Sequence, residues 1–161
     1  MQGFYWLIAG LLAGSSRPGG ASHDPAVVAA QLDVDLAWLH EQGIGAVLSL
    51  TETPLAEAAL MRHELDWLHL PIPDLHAPSP AQFREALAFI DVQRASDHPL
   101  VVHCLVGQGR TGTILSAYLI RSGMDVAAAL AAVRARCPGA VESEEQVAAL
   151  HAFAQRRDWL V

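Results

Sequence analysis

Leu100-Val101-Val102-His103-Cys104-Leu105-Val106-Gly107-Gln108-Gly109-Arg110-Thr111 joins an uninterrupted apolar run to a glycine-bearing turn. An apolar run of this kind suits a strand buried on both faces. Gly107 and Gly109 can take the positive φ that a tight loop needs, and a helix is predicted to begin near Thr111. Such a junction turns backbone N–H groups towards one point, and the N-terminus of the following helix adds positive dipole there. Leu105, Val106, Gly107, Gln108, Gly109 and Arg110 are therefore expected to form an anion cup. Arg110 supplies a planar fork able to grip two phosphate oxygens, a geometry that Lys lacks. Cys104 stands at the base of the cup, where electropositive surroundings favour the thiolate. A thiolate beneath a bound phosphate is placed for in-line attack on phosphorus and a covalent phosphocysteine. Cysteine and arginine six positions apart are common by chance. With His103 before them, Gly107 between them and Thr111 after them, the pattern is strong for a short motif.

Working outward, Phe4 to Gly14 is apolar and is divided by Gly10 into two pieces of strand length. No Lys or Arg precedes this stretch, and it falls short of the ~20 apolar residues of a spanning helix. Two strands are predicted there rather than a targeting segment. Ser15-Ser16-Arg17-Pro18-Gly19-Gly20 is a turn signal, in which Ser15, Ser16 and Arg17 are either plain turn residues or substrate contacts. Ser22 or Asp24 is placed to cap a helix with Pro25 in its first turn. Val28, Leu32, Leu36 and Leu39 recur along it at helical spacing, and Gly43 closes it. A strand over 46–50, a short helix over 54–63 and a strand over 67–70 follow. A proline-rich loop over 71–80 leads to a helix over 81–95 with Phe83, Leu87 and Ile90 on one face. Helices over 125–136 and 143–157 complete the chain. Strands alternating with helices predict one α/β domain over residues 1–161, three layers deep, with a central, mostly parallel sheet flanked by helices. Ligands are expected at the C-terminal ends of its strands.

The 161 residues suit one domain, since domains run ~100–150 residues. A hydrophobic share of 52% with 17% charged residues excludes a disordered chain. All ten basic residues are Arg against 17 acidic ones, a net charge of −7, which excludes a nucleic-acid binder. No segment reaches membrane length, and a monomer without cofactor or metal is expected, the histidines showing no ligand spacing. Cys104 and Cys137 are too few for a secreted disulfide framework, so a reducing, cytoplasmic setting is expected.

Val102 to Thr113, Pro71-Ile72-Pro73-Asp74 and Pro138-Gly139-Ala140-Val141-Glu142 together resemble the protein tyrosine phosphatase superfamily, whose signature is H-C-x5-R-[ST]. Within it the chain is most similar to the small atypical dual-specificity phosphatases, from Phe4 to Gln155. The resemblance implies the cysteine-phosphatase fold and a phosphorylated protein or peptide substrate, with phosphotyrosine and phosphoserine or phosphothreonine hydrolysed through phosphocysteine. It makes Cys104 the nucleophile, Arg110 the phosphate and transition-state ligand, and Asp74 the general acid and then base. It gives Thr111 the task of assisting thiolate departure and His103 that of holding the loop in shape. Glu142 and Gln146 fall on a segment facing the site, where either would orient the hydrolytic water.

Cys137 departs from the family pattern, which tends to carry a basic residue there, and is a candidate for a disulfide with Cys104 on oxidation. Three other readings stay open. A phosphoinositide phosphatase usually has Lys in this loop, whereas Leu105, Val106 and Gln108 are neutral. An RNA 5′-phosphatase would lack basic footing on a chain of net charge −7. A phosphate-binding module without turnover would usually lack Cys104, Arg110 or Asp74, and all three are present. The acidic balance disfavours polyanions and favours one phosphate on a neutral or basic peptide.

Overall fold

A computed structural model of the chain describes residues 1–156. Its strands are β1 (Tyr5–Ile8), β2 (Leu12–Ser15), β3 (Ala46–Ser49), β4 (Asp66–His69) and β5 (Leu100–His103). They form one sheet in the order β1-β2-β5-β3-β4. β1 and β2 are antiparallel, joined through Gly10 at φ 69°, and every other pairing is parallel. The helices are α1 (Pro25–Glu41), α2 (Glu57–Arg62), α3 (Pro80–Ala95), α4 (Gly109–Arg121), α5 (Val126–Arg136) and α6 (Glu144–Gln155). The mixed, mostly parallel sheet is the one expected from the alternation of strands and helices.

Local chemistry sets the helix starts. The Asp24 carboxylate accepts the Ala26 N–H at 2.9 Å, with Pro25 in the first position of α1. Ser79 with Gln82, and Ser143 with Gln146, form reciprocal capping boxes at α3 and α6. α4 begins at Gly109, two residues before the expected Thr111, because the glycine-bearing loop tightens directly into the helix. α2 is shorter than expected: Ala56 caps it without a side-chain hydrogen bond, and nothing holds the turn at Pro54 helical. The last residue of the helix expected over 143–157 lies outside the described residues.

Alternation along the strands sorts the core into two layers. Leu12, Ala46, Leu48, Leu100 and Val102 face one side and pack with Phe83 and Leu87 of α3, Ile114 of α4 and Leu150 of α6. Ala13, Val47 and Val101 face the other, against Leu32, Leu36 and Leu39 of α1 and Leu60 of α2. Each fully buried Leu, Val or Ile contributes roughly 1.5–3 kcal/mol. The sheet is thereby sealed on both faces, and β5, paired on both edges, lies at its centre. His103 ends β5 level with Ser15 of β2 and Ser49 of β3. Three parallel strands thus terminate together, at the edge where an open α/β sheet places its ligands. Among the described residues, no helix is long and apolar enough to cross a membrane.

Candidate active site

The segment between β5 and α4 is held by its own backbone and by the strand ends beside it. Gly107 has φ 79°, and a Cβ there would lie 2.5 Å from the carbonyl carbon of Ser15, so only glycine fits. The Gly107 carbonyl accepts from the Tyr5 hydroxyl at 3.1 Å, and the Leu105 carbonyl accepts from the Arg17 N–H at 3.1 Å. Burial drives the Tyr5 phenol well above its ordinary pKa, so it stays a neutral donor. His103 is fully buried. Its Nδ1 lies 3.2 Å from the Cys104 carbonyl, which can only accept, so Nδ1 carries the proton. Nε2 is then an acceptor, 2.6 Å from the Ser49 hydroxyl that donates to it. Desolvation lowers the imidazole pKa to about 3, opposed by the Cys104 carbonyl and assisted by the nearby positive charges of Arg17 and Arg110. His103 is therefore a neutral strut beneath Cys104, itself only 2% exposed.

Arg110 connects this loop to two carboxylates from elsewhere in the chain. Its Nη1 donates to Glu52 Oε2 at 2.9 Å and to the Ile72 carbonyl at 2.8 Å, and Nη2 lies 3.0 Å from Asp74 Oδ1. The guanidinium is 2% exposed, whereas the Glu52 and Asp74 side chains are 55% and 58% exposed. Nε of Arg110 is buried and has no hydrogen-bond partner. Of five guanidinium N–H groups, those on Nε and one on Nη2 are uncommitted, and a buried donor left so costs about 1–3 kcal/mol. An arriving oxyanion would satisfy both.

Asp74 sits on a loop braced from outside. Its N–H donates to Glu52 Oε1 at 2.9 Å, and Leu75, at φ 62°, donates its N–H to Asp74 Oδ1 at 3.0 Å. The Leu75 carbonyl accepts from the Ser143 hydroxyl, the His76 carbonyl from Gln146 Nε2, and the Ala77 N–H donates to Glu145. The Glu52 carboxyl is held below its usual range, first by its own backbone N–H, against burial, and then by Arg110 and the Asp74 N–H. One carboxylate thus positions both the guanidinium and the acid loop.

Three comparisons bear on what this arrangement is. Residues 20–124 match the family described as Tc-R-P, polymorphic toxin system, DSP-PTPase phosphatase. The chain belongs to the DSP-PTPase phosphatases. It is 34% identical over 109 residues, 65% of its length and 48% of the relative's, to phosphatidylglycerophosphate phosphatase PTPMT2 of Arabidopsis thaliana. It is 35% identical over 77 residues, 47% of its length and 19% of the relative's, to dual specificity protein phosphatase Mpk3 of Drosophila melanogaster. The match therefore spans less than half of either curated relative. The solved structure of Tk-PTP in the active form superposes with a TM-score of 0.82 at 30% identity, covering 96% of this chain and 98% of that one. The chain has the fold that the sequence resemblance implied.

In this phosphatase the fold brings Cys104, Arg110, Asp74 and His103 to one edge of the sheet. Thr111 follows directly in α4, its hydroxyl buried and without a hydrogen-bond partner. Glu142 Oε2 accepts the Gly109 N–H at 3.0 Å, so a carboxylate covers the N-terminus of α4. Gln146 is fully buried and accepts from the Glu142 N–H at 2.9 Å, which fixes that carboxylate against the loop. Cys137 Sγ rests 3.8 Å from the Gly107 carbonyl, burial pushes its thiol pKa up, and both cysteines are free. Among the described residues, no group of three or more His, Cys, Asp or Glu could hold a metal ion. Sequence reasoning missed Glu52, Ser49, Tyr5, Ser143 and Glu145. For Glu52 and Ser49 a signal existed, since both stand where a predicted parallel strand ends. The other three reach the site only through packing.

Proposed function

We propose that the chain hydrolyses phosphomonoesters through a phosphocysteine intermediate on Cys104. The observation that carries this reading is the buried Nε of Arg110, which has no hydrogen-bond partner among the described residues and stands at the start of α4 directly after the cysteine loop. A phosphate entering there takes the free guanidinium edge and the loop amides, and the positive surroundings stabilise the charge that develops on its equatorial oxygens. Cys104 Sγ then attacks phosphorus as the P–O bond to the leaving group breaks, and Asp74 gives its proton to the departing oxygen. In the second half, water attacks phosphorus, the S–P bond breaks, and Asp74 takes the proton from the water. In this reading Thr111 supplies a hydroxyl to the departing thiolate and Glu142 orients that water. Gln146, fully buried with its amide committed to the Glu142 and Ser143 N–H groups and the His76 carbonyl, only holds Glu142 in place.

Phosphotyrosine and phosphoserine or phosphothreonine in proteins are one substrate class for this chemistry, supported by the relative named as a dual specificity protein phosphatase. A second reading places the monoester on a small molecule or lipid headgroup. It is favoured by the relative named as a phosphatidylglycerophosphate phosphatase and by a second arginine in the same cavity, Arg17. The test of the chemistry is turnover of p-nitrophenyl phosphate in EDTA, with trapping of phosphorus on Cys104 by rapid acid quench and peptide mapping. Turnover without label on Cys104 would sink the intermediate.

A further inference from the structure

The cavity beside the cup has a volume of ≈ 490 Å³ and is lined by Arg110 and Asp74 at one end and by Arg17, Ala21, Ser22 and Val28 at the other. Arg17 is half-buried there and makes three hydrogen bonds, all to neutral acceptors. Nη1 donates to Thr51 Oγ1 and to the Thr53 carbonyl, both at 2.8 Å, and Nη2 donates to the Pro54 carbonyl at 3.1 Å. Among the described residues, no carboxylate lies within ion-pair distance of it. Its Nε and the remaining Nη2 N–H carry no hydrogen bond, the same pattern of commitment found on Arg110. Two guanidinium groups in one cavity thus each keep Nε and one Nη2 donor available. Arg110 has two carboxylate neighbours and Arg17 has none. Burial lowers the Arg17 pKa, so an uncompensated cation is being held against its desolvation.

A cation held at that cost, with its donors uncommitted, is built to meet an anion. We propose that Arg17 is a second anion subsite, and that the substrate is a compact phosphomonoester bearing a further phosphate or phosphodiester a few bonds from the first. The inference rests on the phosphocysteine reading of the cup and takes its second substrate reading, the small molecule or lipid headgroup, in place of the phosphoprotein. Both guanidinium groups hang from one short segment, Arg17 on Thr51 and Thr53 and Arg110 on Glu52, so the two anion positions are close neighbours. A bisphosphate on a short polyol meets both. In a phosphopeptide only the phosphate reaches the cup, and the carboxylate of a flanking residue stays nearer the mouth. Exposed Leu105, with Ala21 and Val28, lines the cavity and suits the apolar remainder of such a molecule. The two carboxylates in this cavity, Glu52 and Asp74, are paired with Arg110, which leaves Arg17 as the cation there without an acidic neighbour among the described residues.

The test measures inhibition of p-nitrophenyl phosphate turnover by glycerol 3-phosphate and by glycerol 1,3-bisphosphate. Wild-type enzyme should bind the bisphosphate tighter by about tenfold or more, the scale of one charge-assisted hydrogen bond. Arg17→Gln should collapse that ratio to under about threefold, and Arg17→Lys should retain part of it. The wild-type ratio needs no variant to fold. Phosphatidylcholine vesicles carrying phosphatidylglycerophosphate separate the sources, since faster turnover on them assigns a lipid headgroup and faster turnover of the soluble bisphosphate a free compound. Equal inhibition by the two glycerol phosphates overturns the proposal, as does a ratio that survives in Arg17→Gln. An Arg17-dependent preference for an acid-flanked over a neutral phosphoserine peptide, without one for the bisphosphate, also overturns it. Failure of the cup itself is distinguishable, because Cys104→Ser would then still turn over p-nitrophenyl phosphate.

Discussion

The cysteine loop and the acid loop, which carry complementary halves of the proposed chemistry, are built in opposite ways. The cysteine loop is continuous in sequence, buried, and shaped by Gly107, by His103 and by the ends of β1, β2 and β3. The acid loop is exposed and is shaped by side chains from Glu52 and from residues 143–146, tens of positions away. One half comes preorganised, since a nucleophile and its oxyanion donors gain from fixed geometry. The other is held by contacts a substrate can rearrange, since Asp74 must leave Arg110 to reach a leaving group. The Asp74 carboxylate is 58% exposed, so water can replace the guanidinium as its partner during such exchange.

Substitutions can break this contrast, beginning with the largest effect. Cys104→Ser should lower kcat by on the order of 10⁴-fold or more while inorganic phosphate still binds, measured by steady-state assay and calorimetry. A variant that retains turnover would remove the cysteine loop from the chemistry. Asp74→Asn should cost about 10²-fold in kcat and flatten the basic limb of the pH–rate profile. An unchanged limb would move the acid elsewhere. Glu52→Gln keeps one acceptor oxygen, for either Arg110 or the Asp74 N–H, and removes a competing charge. Inorganic phosphate should inhibit that variant at about two- to fivefold lower concentration. Weaker inhibition would mean that Glu52 supports phosphate binding rather than competing with it.

The smallest effect on turnover is expected at His103, where stability is the readout. The folded state keeps this imidazole neutral down to about 3, whereas the unfolded chain takes up a proton near the ordinary histidine value of 6.5. Unfolding therefore gains a proton in that window, and the stability present above pH 6.5 is lost as pH falls towards 3. Urea midpoints measured between pH 4 and 7 should fall with pH, and His103→Gln should flatten the slope. A parallel slope in the variant would assign the acid sensitivity to other groups.

Much of the cysteine loop was legible in the chain because its determinants are local. An apolar strand, two glycines, a cysteine and an arginine at fixed spacing dictate a loop whose backbone must close on itself. The β-α alternation was legible for the same reason, since hydrophobic period and cap residues act over a few positions. Glu52 was not legible as a partner of Arg110, nor Ser143 and Glu145 as braces of the acid loop, because nothing nearby in sequence demands them. Arg17 illustrates the division most sharply. Its sequence context is only a turn, and its meaning comes from the parallel pairing of β2 and β3 with β5, which carries three strand ends to one edge. The amino-acid sequence by itself determined the loop that carries Cys104 and Arg110, through short-range backbone chemistry. Only the tertiary structure decided which distant charges surround that cup, because burial and ion pairing depend on where the sheet delivers each strand end.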